Sequence, residues 1–288
     1  IGKIFMEFGV VSLLEKLLRP LMRPLFNLPG VASLGAVMTF LSDNPAIISL
    51  SKDKRFSGYF KKYQFISLTN FGTAFGMGLI VIVFMMGQGY FVEPFLGLIG
   101  AFCGCMVSTR LMQRFVVKAF PAYLEENAAE RVAGNIGEEE VEEDRRMFSR
   151  ILNAMTFGPS AEGTYNGAAY EGVELLPWLA SKVNVVFEWL FGFQDPHLIA
   201  FPITALGAVG AALGLIPSFA AEGWIDGNAI AVFTAIGMCW SGYLSTHTAM
   251  LDSLGYRELT SKAILAHTFG GLVAALVAHW LFMLYALI

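Results

Sequence analysis

The chain has 288 residues, of which 56% are hydrophobic and 15% charged, with a formal net charge of −4 and a mean hydropathy of +0.60. A soluble domain of this size would carry about 25% charged residues, and a soluble bundle of this composition would have to bury nearly every helix on all faces. An ordinary soluble domain is excluded, and so is a nucleic-acid binder, because the charge is net acidic and shows no phosphate-tracking footprint.

The apolar residues fall in runs of roughly 20, the length that crosses about 30 Å of hydrocarbon. Residues 1–19 are apolar until Glu15, Lys16 and Arg19, and Pro20 and Pro24 follow. This opening lacks the small-residue cleavage site of a signal peptide. With Ile1 at its head instead of methionine, the first helix is expected to begin upstream. Residues 25–50 are apolar but interrupted at Pro29-Gly30 and at Ser42-Asp43-Asn44-Pro45, and a basic loop from Lys52 to Lys62 comes next. Two spans, 63–87 and 91–117, are joined by Gly87-Gln88-Gly89-Tyr90.

A polar segment holding Glu138-Glu139-Glu140-Val141-Glu142-Glu143-Asp144 then divides the chain. The expected organisation is a first membrane repeat over 1–118, an acidic cytoplasmic linker over 119–150 and a second membrane repeat over 151–288. In the second half a span near 171–192 is followed by apolar runs at 199–219, 228–250 and 263–286. Cys103, Cys105 and Cys239 all lie in apolar runs with neither zinc nor redox spacing, so no metal site, disulfide or cofactor is expected.

The halves share an order of features. Leu34-Gly35-Ala36-Val37 precedes Pro45, and Leu206-Gly207-Ala208-Val209 precedes Pro217 at the same spacing. Each copy is followed by a span with a polar, glycine-containing patch, Ser67 to Thr73 in one half and Ser241 to Thr248 in the other. Loop charge orients them. Arg19 and Arg23 before the 25–50 segment and Lys52 to Lys62 after it place both flanks on the cytoplasmic side. That segment is therefore read as a re-entrant hairpin. The flanks of 199–219 contain no Lys or Arg, as an outside hairpin would. The fold class expected is an all-α polytopic membrane protein of two inverted repeats, each a re-entrant or broken hairpin followed by two transmembrane helices.

Candidate chemistry lies at the breaks and the polar patches. Pro45 and Pro217 free backbone carbonyls at membrane depth. Beside Pro45, Asp43 and Asn44 are candidate contacts for a solute or coupling cation, and an ionisable group at that depth is costly; the bland alternative is an Asx cap on the following half-helix. Asn70, with both donors and acceptors, Thr73, Ser241, Thr246 and His247 complete the candidate substrate set, although Ser and Thr here also bond their own helix. Asp43, His247 and Glu174 are candidate proton or coupling groups; Glu174, with Lys182, alternatively snorkels to an interface. His267 and His279 are read as structural. A hydrolase built on Ser245, His247 and Asp252 is disfavoured because residues at i and i+2 of a helix point apart, and the chain is not expected to be an enzyme.

The run Leu17-Leu18-Arg19-Pro20-Leu21-Met22-Arg23-Pro24-Leu25-Phe26-Asn27-Leu28-Pro29-Gly30 resembles the opening signature of nucleoside-recognition (Gate) domain membrane proteins, a group thought to be related to concentrative nucleoside transporters. Arg150-Ile151-Leu152-Asn153-Ala154, with Gly163, Gly167, Gly172 and Leu176-Pro177, is similar to the start of that family's second half. The likeness covers most of 12–118 and 150–286; where the family commonly has Ser-Gly and further glycines, this chain has Ser42-Asp43-Asn44-Pro45. The resemblance implies a hairpin-and-broken-helix membrane fold, homo-oligomers as partners and, more loosely, transport. The function expected is a secondary transporter in a bacterial inner membrane, with the lipid bilayer, a small polar solute such as a nucleoside, and Na+ or H+ as partners. The alternative is a non-transporting scaffold or assembly factor of the spore-maturation type.

Overall fold

A computed structural model describes residues 20–42, 44, 46–51, 54–128 and 185–288. Asp43, Pro45, Lys52, Glu174, Lys182, the acidic run from Glu138 to Asp144 and most of the proposed linker lie outside the described residues.

Among the described residues the chain is helical, as its apolar runs require. In order come α1 (Ala32–Leu41), α2 (Ala46–Ser51), α3 (Lys54–Ser57), α4 (Lys62–Thr73), α5 (Gly78–Gly87) and α6 (Glu93–Ala119). After a helical stretch at 185–191 follow α7 (Ala200–Gly207), α8 (Val209–Leu213), α9 (Ile216–Ala221), α10 (Gly227–Cys239), α11 (Tyr243–Leu254) and α12 (Thr260–Tyr285). Four segments are long and apolar enough to cross a membrane: Lys62–Gly87, Glu93–Ala119, Gly227–Leu254 and Arg257–Tyr285. Large apolar side chains such as Ile80, Val83, Ile99, Phe269 and Trp280 stay exposed, which suits an integral multi-pass protein whose outer solvent is lipid.

Local chemistry sets the ends of these helices. The Glu93 carboxylate accepts from the Val92 N–H, and Pro94 fills the first turn of α6, where no N–H is needed. The Asp226 carboxylate caps α10 by accepting from Ala229 N–H at 2.7 Å. α11 ends at Gly255 (φ +76), with Gly255 N–H donating to Asp252 and Tyr256 N–H to Leu251, while the Tyr256 ring is buried behind the turn.

Two of the four apolar segments are broken in mid-course. α4 gives way to α5 through 74–77, where Met77 adopts φ +56, and α10 gives way to α11 at Gly242, φ +58. A methionine in the left-handed region is strained, since its Cβ crowds the next carbonyl. The run 63–87, legible in sequence as one span, is thus two half-helices.

The centre of the molecule is the packing of α6 against α12, with α10 lying against both. Small residues permit it. Gly100 faces the Ala274 carbonyl and Ala278, Gly104 faces the Gly270 carbonyl and Ala274, and Gly270 faces Ser108. Rising numbers on α6 meet falling numbers on α12, so the two run antiparallel. Where lipid supplies no hydrophobic drive between helices, such backbone approach supplies dispersion contacts instead.

Charge separates along the helix axes. Lys61 and Lys62 open α4, Arg110, Arg114 and Lys118 close α6, and Arg257 and Lys262 open the final span. At the opposite ends, stretches 87–92 and 223–228 contain no Lys or Arg and hold Asp226, with Glu93 just beyond. There, burial first and then the carboxylates of Asp226 and Glu93 hold the Tyr90 phenol above its ordinary range.

Candidate functional site

The interruption of α4 and α10 brings polar side chains into the apolar interior. Each must find a partner or leave a costly unsatisfied group. Asn70, fully buried on α4, donates through Nδ2 to Ser108 Oγ on α6 (3.0 Å) and to the Ala263 carbonyl on α12 (2.9 Å). Ser108 Oγ lies 3.2 Å from His267 Nδ1, and His267 Nε2 bonds the Cys239 carbonyl at the end of α10. A carbonyl can only accept, so His267 Nε2 carries the proton and Nδ1 accepts from the Ser108 hydroxyl. A directed chain results, Asn70 to Ser108 to His267 to Cys239. It ties four helices together.

His247 lies beside this chain. Its ring centroid is 4.8 Å from that of His267, at 69°, and 6.1 Å from that of Tyr243. It is fully buried, yet neither ring nitrogen has a hydrogen-bond partner among the described residues. Tyr243 is anchored by its hydroxyl to Thr268 Oγ1 at 2.7 Å, and Thr268 donates to the Ile264 carbonyl. Trp240 closes the group, its buried indole N–H against Gly271 with no partner among the described residues. His247 is thus packed against the Tyr243 ring and the His267 imidazole, whose own polar atoms are used.

The first break adjoins the second. Asn44, buried, donates through Nδ2 to the Ser241 carbonyl at 3.2 Å, across 197 residues of sequence. Gly76 makes room for it, since a Cβ there would collide with the Asn44 amide. Thr73 donates to the Thr69 carbonyl (2.7 Å) and touches Met250 Sδ on α11 (3.8 Å). Of the residues expected from sequence, Asn44, Asn70, Thr73, Ser241 and His247 are all buried in this region. Thr246 is half-buried on α11, and Pro217 is exposed in the first turn of α9. Asp43, Pro45 and Glu174 fall outside the described residues. Ser245 is exposed and donates to the Gly242 carbonyl, on another face of α11 from His247.

His267, read from sequence as structural, stands at the centre of the chain. Ser108 is not legible as a site residue in the sequence. Its local sequence carries no signal, because its partners come from other helices. His279 bonds Asn228 Oδ1 (2.8 Å), whose amide in turn donates to the Phe191 carbonyl (2.7 Å), a clamp at the acidic end.

The signature at 22–30 has a defined place. Met22–Phe26 form a π-turn closed by Asn27 at φ +54. Arg110 donates to the Leu25 (2.9 Å) and Pro24 (2.7 Å) carbonyls, Gln113 to Phe26 (2.9 Å), and Gln64 to Asn27 (2.8 Å). The Asn27 amide reaches Tyr63 and Gln113. The motif is thus docked on α4 and α6 at the basic end, flanked on either side by clefts of about 800 Å3 and about 810 Å3.

Residues 1–89 match the model of the Gate family, described as nucleoside recognition, so the resemblance carried by the 17–30 run is shown for that part of the chain. Asn27, Asn44, Asn70 and Thr73 lie inside it. Over 93 residues the chain is 31% identical to an uncharacterized protein of Alkalihalophilus pseudofirmus, a match that takes in 32% of this chain and 20% of that protein. The chain thus spans about a fifth of the curated relative it matches. No solved structure matches it.

Proposed function

We propose that this chain, its first 89 residues a match to the Gate family, is a secondary transporter for a small polar solute such as a nucleoside, coupled to protons or sodium. The carrying observation is His247: a fully buried imidazole on the second broken span, with neither nitrogen bonded among the described residues. An unsatisfied buried polar group costs about 1–3 kcal/mol, a cost that function can explain and packing alone does not. In this reading His247 and the Asn44–Ser241 contact receive the solute. Asn70, Ser108 and His267 hold the wall, and Asp43 with His247 serves the coupling ion.

Architecture supports the reading. The order short helix, break, short helix, then broken span, then long helix recurs in α1–α6 and α7–α12. α6 and α12, which close the two sets, run antiparallel. We take these sets as inverted repeats, with the α1–α2 and α7–α9 segments as re-entrant hairpins entering from opposite faces. The basic ends are cytoplasmic by the positive-inside rule. The test is uptake of labelled nucleosides into proteoliposomes under proton and sodium gradients. The expected result is saturable uptake that falls about tenfold or more in His247→Ala, in line with loss of one buried polar contact. Absence of uptake and of any ligand-induced thermal shift, together with a stably copurifying protein, would establish the scaffold reading, which the close seam between α6 and α12 also suits.

A further inference from the structure

We propose that the cleft of about 800 Å3 between the 24–27 segment and the last turns of α6 is a binding site for one anionic phospholipid. It is separate from the buried centre and does not depend on the transport reading. The cleft is graded along the helix axis. Its deepest wall is Met106 and Val107, both half-exposed; Arg110, Arg114 and Lys118 follow toward the end of α6, with Leu111, Val117 and Leu124 as apolar lining beside them. These three cations follow at intervals of four, so they form one stripe with a rise of about 6 Å per step. Apolar at depth and basic at the rim is the order of a phospholipid read from acyl chain to phosphate.

The charges are available. Arg110 spends two N–H groups on the neutral carbonyls of Leu25 and Pro24 and has no carboxylate partner among the described residues. Arg114 and Lys118 are exposed and form no ion pair among the described residues, whereas nearby Lys61 and Lys62 are already paired with Glu125 and Glu126. All three cations stand at the end of α6 where the basic residues of the other spans also gather, the depth at which headgroups lie. Basic pockets between transmembrane helices on that side suit lipid phosphates, each Lys or Arg contributing about 1 kcal/mol near an anionic surface. Arg110, by holding the Pro24–Leu25 backbone, positions the far wall; Arg114 and Lys118 are the phosphate ligands.

Native mass spectrometry of the purified full chain tests this, with phosphatidylglycerol titrated against phosphatidylcholine. The expected result is one phosphatidylglycerol retained in preference to phosphatidylcholine, weakened about thirtyfold in the R114Q/K118Q variant, equivalent to about 2 kcal/mol. Arg114→Lys should keep most of the binding, and R23Q/K61Q, which removes as much charge outside this cleft, should leave it unchanged. Should the double variant fail to purify as a monodisperse species, Lys118→Gln alone is expected to weaken binding about fivefold. No preference for the anionic lipid, or a preference that survives R114Q/K118Q, overturns the proposal. So does displacement by inorganic phosphate at matched concentration, which would mark a free-anion site. Lipid retention that appears only after Glu138 to Asp144 are changed to Gln, Val141 excepted, also overturns it, assigning the cleft to the chain's own acidic segment.

Discussion

The two buried histidines differ in how their ring nitrogens are used. His267 spends both ring nitrogens, on Ser108 and on the Cys239 carbonyl. Replacing it by Phe strands both partners, and we expect a loss of about 1–3 kcal/mol in stability, read as a lower midpoint of thermal unfolding in detergent. His247 bonds nothing among the described residues, so His247→Phe should leave that midpoint unchanged or raise it, since it removes an unsatisfied buried group of similar shape. Uptake should nonetheless be lost. If both variants lower the midpoint equally, His247 has a packing role instead. Sequence makes His247 visible, as an ionisable group in a Thr-rich patch, but leaves His267 to be read as structural, one residue of a long apolar final span. What distinguishes the two is the identity of their partners, a tertiary fact.

Helix existence was legible in the apolar runs, while helix continuity was not. The breaks at Asn44 and around Gly214 have Pro45 and Pro217 close by in sequence, but the interruptions at Met77 and Gly242 carry weaker marks. Gly242 is one that composition could have supplied, a residue suited to positive φ. Met77 is not, because nothing in a methionine signals a left-handed backbone; the flanking Gly76 and Gly78, which admit the Asn44 amide and the Phe40 ring, are the only hint. Glycines also read differently once packed. Gly100 and Gly104 stand against backbone carbonyls of α12, so Gly100→Val or Gly104→Val should cost about 1–3 kcal/mol each through overpacking. Gly87, with nothing near it, serves as the contrast: Gly87→Ala should be stabilising by about 0.5 kcal/mol. Detergent unfolding of the variants checks both expectations, and equal destabilisation at Gly87 would rule out close approach as the cause.

At the scale of the molecule, charge distribution predicts orientation. In a background lacking Cys103, Cys105 and Cys239, a cysteine at Gly89 should react with an impermeant maleimide on intact cells, and one at Glu125 only after permeabilisation. Labelling of Glu125 from outside would invert the assignment and remove the basis for the opposed hairpins. Apolar length alone makes the described spans legible in the sequence. The seam between α6 and α12 carries one more consequence. Glycine Cα atoms there rest on the opposing main chain, with no flexible side chains between them to act as a lubricant. Sliding α6 along α12 by one residue's rise, about 1.5 Å, would carry the Ala278 and Ala274 methyls out of the spaces that Gly100 and Gly104 leave for them. Those two long helices are consequently a keel, and any exposure of His247 to either bath falls to the half-helices hung beside it.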